Sequence, residues 1–182
     1  MKKITSALAV VTLAGAALAS GFAQAAVISQ PPQTITLTSG ANYFGHAVTL
    51  GNEGNTFADR YNFTTSVFSD FGSVVSAFSP GLVDGIQITG LSLFNSAGMS
   101  LGGVQVLDGE IDLWKLSTAH LAADSYYLLV SGKVLAATPT GYSGSLTVSA
   151  IPEADSYAML LAGLGMVGYL ARRRRSGAAT PV

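Results

Sequence analysis

The chain of 182 residues contains no cysteine. That excludes disulfide staples, thiolate metal sites and a cysteine nucleophile together. Charge is scarce as well: Asp, Glu, Lys and Arg make up 10% of the residues, against about 25% in an ordinary soluble domain. So small a share does not suit a cytosolic enzyme. Two histidines and a formal net charge of −1 leave little for zinc coordination and nothing of a basic nucleic-acid footprint. No nucleic-acid partner and no cofactor are expected. Hydrophobic residues, 49% of the total, and 21 glycines fill the chain instead. Its length accommodates one domain of about 100–200 residues.

Both ends read as addresses. Met1-Lys2-Lys3 is followed by an uncharged stretch over 4–19 and then by Ala23-Gln24-Ala25. A positive start, an apolar middle and a small-x-small site describe a secretory signal peptide. Residues 1–25 are therefore expected to be a signal-peptide helix, cut between Ala25 and Ala26. At the other end, Pro152-Glu153-Ala154 precedes fifteen uncharged residues, 157–171, and then Arg172, Arg173, Arg174 and Arg175. Fifteen helical residues rise about 22 Å, short of the roughly 30 Å hydrocarbon core. Arginine snorkelling and local thinning offset part of such a mismatch. A transmembrane helix is expected here, with the arginines as its basic stop. The positive-inside rule puts the tail, 176–182, in the cytoplasm.

A Pro-Glu motif, a Leu/Ala/Gly-rich apolar helix and a terminal Arg cluster, in that order over 151–175, resemble the PEP-CTERM sorting signal of Gram-negative bacteria. Ala154 stands where that family usually has a second proline. The resemblance implies an exosortase in the inner membrane as processing partner. It also implies release toward the envelope or an exopolysaccharide or biofilm matrix. The same segment is found on varied cargo, some ice-binding proteins included, so it implies a route rather than an activity.

Between the addresses lies 26–150. Through Ile151 this middle carries three basic and eight acidic side chains, a formal −5. Short runs of Val, Thr, Tyr and Phe broken by Gly and Ser give strands over 33–38, 43–50, 57–63, 86–94, 104–107, 110–116, 126–130, 133–137 and 146–150. Gly90 suggests a bulge. Asp108-Gly109 and Ser131-Gly132 suggest hairpin turns, the first of type I′, and 117–124 a short helical turn. The fold class is all-β, an antiparallel β-sandwich or jelly-roll-like domain.

Phe57, Asp59, Tyr61 and Phe63 share one strand face. This strand resembles the FxDxF group of PEP-CTERM proteins, with Tyr61 in place of the usual Phe. The three rings read as core, each worth about 1.5–3 kcal/mol when buried. Asp59 among them needs a partner, and a structural role is favoured over a cation ligand. No metal site is expected. Asp108, Glu110 and Asp112 alternate and could supply part of a calcium shell, yet read more simply as solvated. His46 and His120 read as surface or turn residues. Ser143 lies in no nucleophile elbow. The chain therefore reads as a non-enzymatic exported protein. The alternative is a carbohydrate-binding module stacking sugars on Tyr43, Tyr61, Trp114, Tyr126 or Tyr142.

Overall fold

The structure is a computed structural model that describes residues 25–152 and 154–177. The expected signal-peptide helix, with Ala23, and Glu153 of the Pro-Glu motif lie outside the described residues, as does the end of the tail. Ten strands follow in order: β1 (Gln33–Thr34), β2 (Ala41–Val48), β3 (Thr56–Thr65), β4 (Ser69–Phe78), β5 (Ile86–Phe94), β6 (Ser100–Gly102), β7 (Val104–Leu107), β8 (Ile111–Leu121), β9 (Asp124–Val134) and β10 (Thr140–Ala150). One helix, α1 (Ala154–Gly177), closes the described chain.

The strands form two five-stranded sheets, β1-β3-β9-β5-β6 and β2-β10-β4-β8-β7. All neighbours are antiparallel except β1 and β3. A period of two decides what lies between the sheets. Strand β3 buries Phe57, Asp59, Tyr61, Phe63 and Thr65 and exposes most of the intervening side chains. Strand β4 buries Ser69, Phe71, Ser73, Val75 and Ala77. The inward rings meet across the gap. Phe63 stacks on Phe71 with centroids 5.5 Å apart, and Phe57 stacks on Tyr142 at 5.2 Å.

Several expectations are corrected. Ser131-Gly132 is no turn, because β9 runs straight through it. Gly132 is there for space: a Cβ would overlap the Phe57 ring and approach the Gln87 carbonyl. Asp108-Gly109 does lie in the β7–β8 link, but neither residue has positive φ. The link, 108–110, is thus one residue longer than a type I′ loop. Segment 117–124 is not helical; it extends β8 to Leu121 and ends in a turn. The expected bulge is present, since the β5–β9 register shifts between Ile88 and Gly90.

The expected transmembrane helix is not shown as a span. Helix α1 is 24 residues long, yet no helix among the described residues is long and apolar enough to cross a membrane. The apolar run stops at Ala171, where the arginines begin. Every described side chain over 157–174 is exposed.

Candidate functional site

Asp59 is fully buried, with 0% exposure, in the middle of β3. A carboxylate in that position must have its acceptor sites filled, and three donors converge on it. The Gln30 backbone N–H donates to Oδ1 at 2.8 Å. The Tyr142 hydroxyl donates to Oδ2 at 2.6 Å, and His46 Nδ1 lies 2.7 Å from the same oxygen. The Tyr61 hydroxyl is 2.8 Å from that of Tyr142 and accepts from Gln30 Nε2 at 2.8 Å.

These bonds have one consistent direction. Because Tyr142 gives its proton to Asp59, Tyr61 donates to Tyr142, and Tyr61 is left to accept from the Gln30 amide. A carboxylate is acceptor-only when ionised, so every donor in the network points toward the charge. His46 Nδ1 acts as donor in this arrangement. Burial raises the Tyr61 hydroxyl pKa to about 12, the nearby Asp59 charge adding to the effect. Burial pushes Tyr142 higher still, helped by its hydrogen bond to Asp59. Both therefore stay protonated donors at neutral pH.

Four separate segments build this site. Asp59 and Tyr61 come from β3, Tyr142 from β10 and His46 from β2, while Gln30 sits in the strap before β1. The strap runs along β3: the Ile28 N–H donates to Thr56 O and the Ile35 N–H to Asn62 O. Gln30 then bonds both sheets, since Nε2 also donates to Gly45 O at 3.0 Å. His46 completes the packing edge-on to Phe57 and Tyr142. Its side chain is 14% exposed, which corrects the reading of it as a surface or turn residue. His120 does sit exposed, near the end of β8.

What can this arrangement do chemically? An Asp–His pair suggests nucleophile activation. Among the described residues, however, neither Asp59 nor His46 hydrogen-bonds a serine or threonine hydroxyl. Ser143 points away on the outer face of β10. The network ties the two sheets and the strap together.

The acidic trio does not assemble. Asp112 is buried and accepts the Ile88 N–H at 2.7 Å and Gln105 Nε2 at 3.0 Å. Glu110 accepts the Gly81 N–H at 2.9 Å, and Asp108 is exposed. Alternation failed as a guide because 108–110 is a link, so only Asp112 is held on a strand. No cluster of three or more metal-ligating side chains occurs among the described residues.

The proposed sugar-stacking rings disperse too. Tyr61, Tyr126 and Tyr142 are buried. Trp114 is half-buried and donates its indole N–H to Ile88 O at 3.2 Å. Only Tyr43 of the five stands exposed, at 82%.

The remaining site is the C-terminal segment. The sandwich ends at Ala150, opposite Ser69, and the Ile151 N–H donates to Phe68 O at 2.8 Å. Pro152 follows, then α1 with its exposed apolar surface and Arg172, Arg173 and Arg174 exposed at its end. Residues 150–175 match the family model of the PEP-CTERM protein-sorting motif. This chain carries a PEP-CTERM sorting signal. The signal marks an exported protein sorted by an exosortase at the membrane. No curated protein matches the sequence. Among the solved structures that are similar in part are two from bacteria. One is the pre-peptidase C-terminal domain of collagenase from Bacillus anthracis, at 15% identity and a TM-score of 0.34, over 69% of this chain and 95% of that one. The other is Aeromonas hydrophila PliG, a periplasmic inhibitor of g-type lysozyme, at 9% identity and 0.36, over 69% and 100%. Neither likeness bears on function.

Proposed function

We propose that this PEP-CTERM protein is a non-enzymatic component of the cell envelope or extracellular matrix. Its β domain is carried across the inner membrane by the signal peptide, with cleavage after Ala25. The domain is then held at the membrane by α1 until an exosortase processes the segment beginning at Pro152-Glu153-Ala154. The observation that carries this reading is the uncovered apolar surface of α1. Nine large side chains, Tyr157 and Leu164 among them, are each more than half exposed. A helix that is apolar all round belongs in a protein core or in lipid, and every described side chain over 157–174 is exposed. Its apolar length of about 22 Å suits a bilayer thinned around it, with Arg172–Arg175 at the cytoplasmic edge.

The N-terminal boundary is consistent with this route. The Ala26 N–H donates to Asn55 Oδ1 at 2.9 Å, and Ala26 O accepts from the Thr56 N–H. Cleavage after Ala25 would leave the new terminus seated beside β3. The FxDxF assignment is part of the same proposal, supported by the burial of Phe57, Asp59, Tyr61 and Phe63 on one face. What supports an exopolysaccharide or biofilm link is the sorting class; the β domain adds no stacking row for sugars.

The test is fractionation of cells with and without the exosortase, with mass spectrometry of both mature ends. The expected product starts at Ala26 and lacks Arg172–Arg175. A released extracellular form that keeps the arginines would refute the reading.

A further inference from the structure

The place where the chain leaves the sandwich carries two exposed apolar side chains. Residues 66–68 join β3 to β4, and Phe68 and Val67 are 55% and 38% exposed there. Phe68 O is the acceptor for the Ile151 N–H, so this tip is bonded to the residue directly before the sorting motif. We propose that the Val67-Phe68 tip is a membrane-contact surface that rests in the lipid interface beside the entry point of α1. This deepens the reading of α1 as a membrane helix and rests on it.

Reach comes first. Ile151 to the helix start at Ala154 is three residue steps, at most about 11 Å. The three residues before the apolar run add about 4.5 Å of helix. With the 2.8 Å bond from Ile151 added, Phe68 O is tethered within roughly 18 Å of the hydrocarbon edge, while the interfacial layer on each side is about 5–7 Å thick. Reach permits contact, and composition selects it. From Thr64 to Ser69 there is no charged residue, and the neighbouring turn is Leu121-Ala122-Ala123.

The two turns are locked together. The Thr65 hydroxyl donates to Ala122 O at 2.8 Å and accepts the Asp124 N–H at 3.3 Å, and the Tyr126 hydroxyl donates to the same carbonyl at 3.0 Å. The tip is thus a small fixed platform and not a loose loop. Phenylalanine at such a position partitions to the interface by its apolar area. Acids on the adjoining strands oppose any electrostatic attraction to anionic lipid. Asp70 accepts the His120 N–H, and Asp124 accepts from Ser96 and Ser125. Contact is expected on zwitterionic lipid alone. Its consequence is positional: with the tip on the surface, Pro152 is presented at a set depth.

The absence of cysteine makes the test clean, since one introduced thiol is the only labelling site. Full-length chains carrying Phe68→Cys, Leu50→Cys or Leu164→Cys would be spin-labelled and placed in phosphatidylcholine nanodiscs. Collision with oxygen, which partitions into lipid, is compared with collision with a water-soluble nickel chelate. Leu50 is an equally apolar position, 70% exposed, at the other end of the sandwich, about 30 Å away along β3. The expected result is a lipid signature at 164, a water signature at 50, and at 68 a rise in oxygen collisions with a loss of nickel collisions relative to 50. A lipid signature at 164 with 68 matching 50 overturns the tip contact and leaves the membrane helix intact. A water signature at 164 overturns both.

Discussion

Replacing Asp59 by asparagine probes the central network with almost no change in shape. The carboxylate accepts at both oxygens, from Gln30 on one side and from Tyr142 and His46 on the other. An amide has one acceptor oxygen and one donor nitrogen. If its oxygen faces Tyr142 and His46, its nitrogen meets the Gln30 N–H. If it is flipped, the Tyr142 hydroxyl must turn to accept from the nitrogen and give its proton to Tyr61, which already accepts from Gln30 and is left with no acceptor for its own proton. Either way a donor at this site of 0% exposure loses its acceptor, and water cannot relieve it. Losing hydrogen bonds to a charged group costs about 1.5–3 kcal/mol, and breaking a buried charged constellation about 3–5 kcal/mol. We expect Asp59→Asn to cost about 3–5 kcal/mol. For a domain of this size that is roughly 12–20 °C in melting temperature. The assay is thermal unfolding of the full chain in mild detergent, followed by the near-ultraviolet circular dichroism of the buried tyrosines. Tyr142→Phe, which removes one donor, should cost less. A variant Asp59→Asn that melts within about 1 kcal/mol of the parent would refute the reasoning.

The Tyr61 hydroxyl pKa is raised by burial to about 12, and Tyr142 is raised further. Groups whose pKa is raised on folding stabilise fully below the unfolded value near 10. That stability is lost as pH rises from about 10 toward and past 12, and tyrosinate absorbance from these two rings should appear together with unfolding. Early, reversible titration of all seven tyrosines would contradict this. Gly132→Ala should destabilise by about 1–3 kcal/mol in a urea melt, because Phe57 and the Gln87 carbonyl occupy the space a Cβ needs; no change would mean that the two strands part easily there. Millimolar calcium should leave the melting temperature unshifted, because Asp108, Glu110 and Asp112 have separate partners or none. A rise of several degrees would show that they converge on an ion.

How much of this was legible in advance follows from what each signal measures. Alternation on β3 was readable, since four consecutive inward positions are large or charged and their neighbours are mostly small or polar. Strand β4 escaped notice because two of its five inward residues are serine and two of its outward ones are Val74 and Phe78. Ser69 and Ser73 are tolerated inside because their hydroxyls donate to Val67 O and Ser145 O at 3.0 Å each. A strand that satisfies its buried polar groups through neighbouring backbone has no apolar period to show. The Ser131-Gly132 misreading has a related cause. Glycine at a turn and glycine under an aromatic ring are the same letter, and only the partner strand tells them apart.

The Asp59 network shows the same limit at longer range. A lone carboxylate in an aromatic strand announces that partners must exist, and it says nothing about where. His46 and Tyr142 lie 13 and 83 residues away in the chain, on two strands of the opposite sheet. Only pairing of β2 with β10, in the register that sets Tyr142 opposite His46, delivers both to one oxygen. The sorting signal is the opposite case. Its parts are contiguous and its order is linear over 150–175, so reading it requires no knowledge of which strands pair. Function was therefore readable where it depends on local composition, and hidden where it depends on which strands become neighbours.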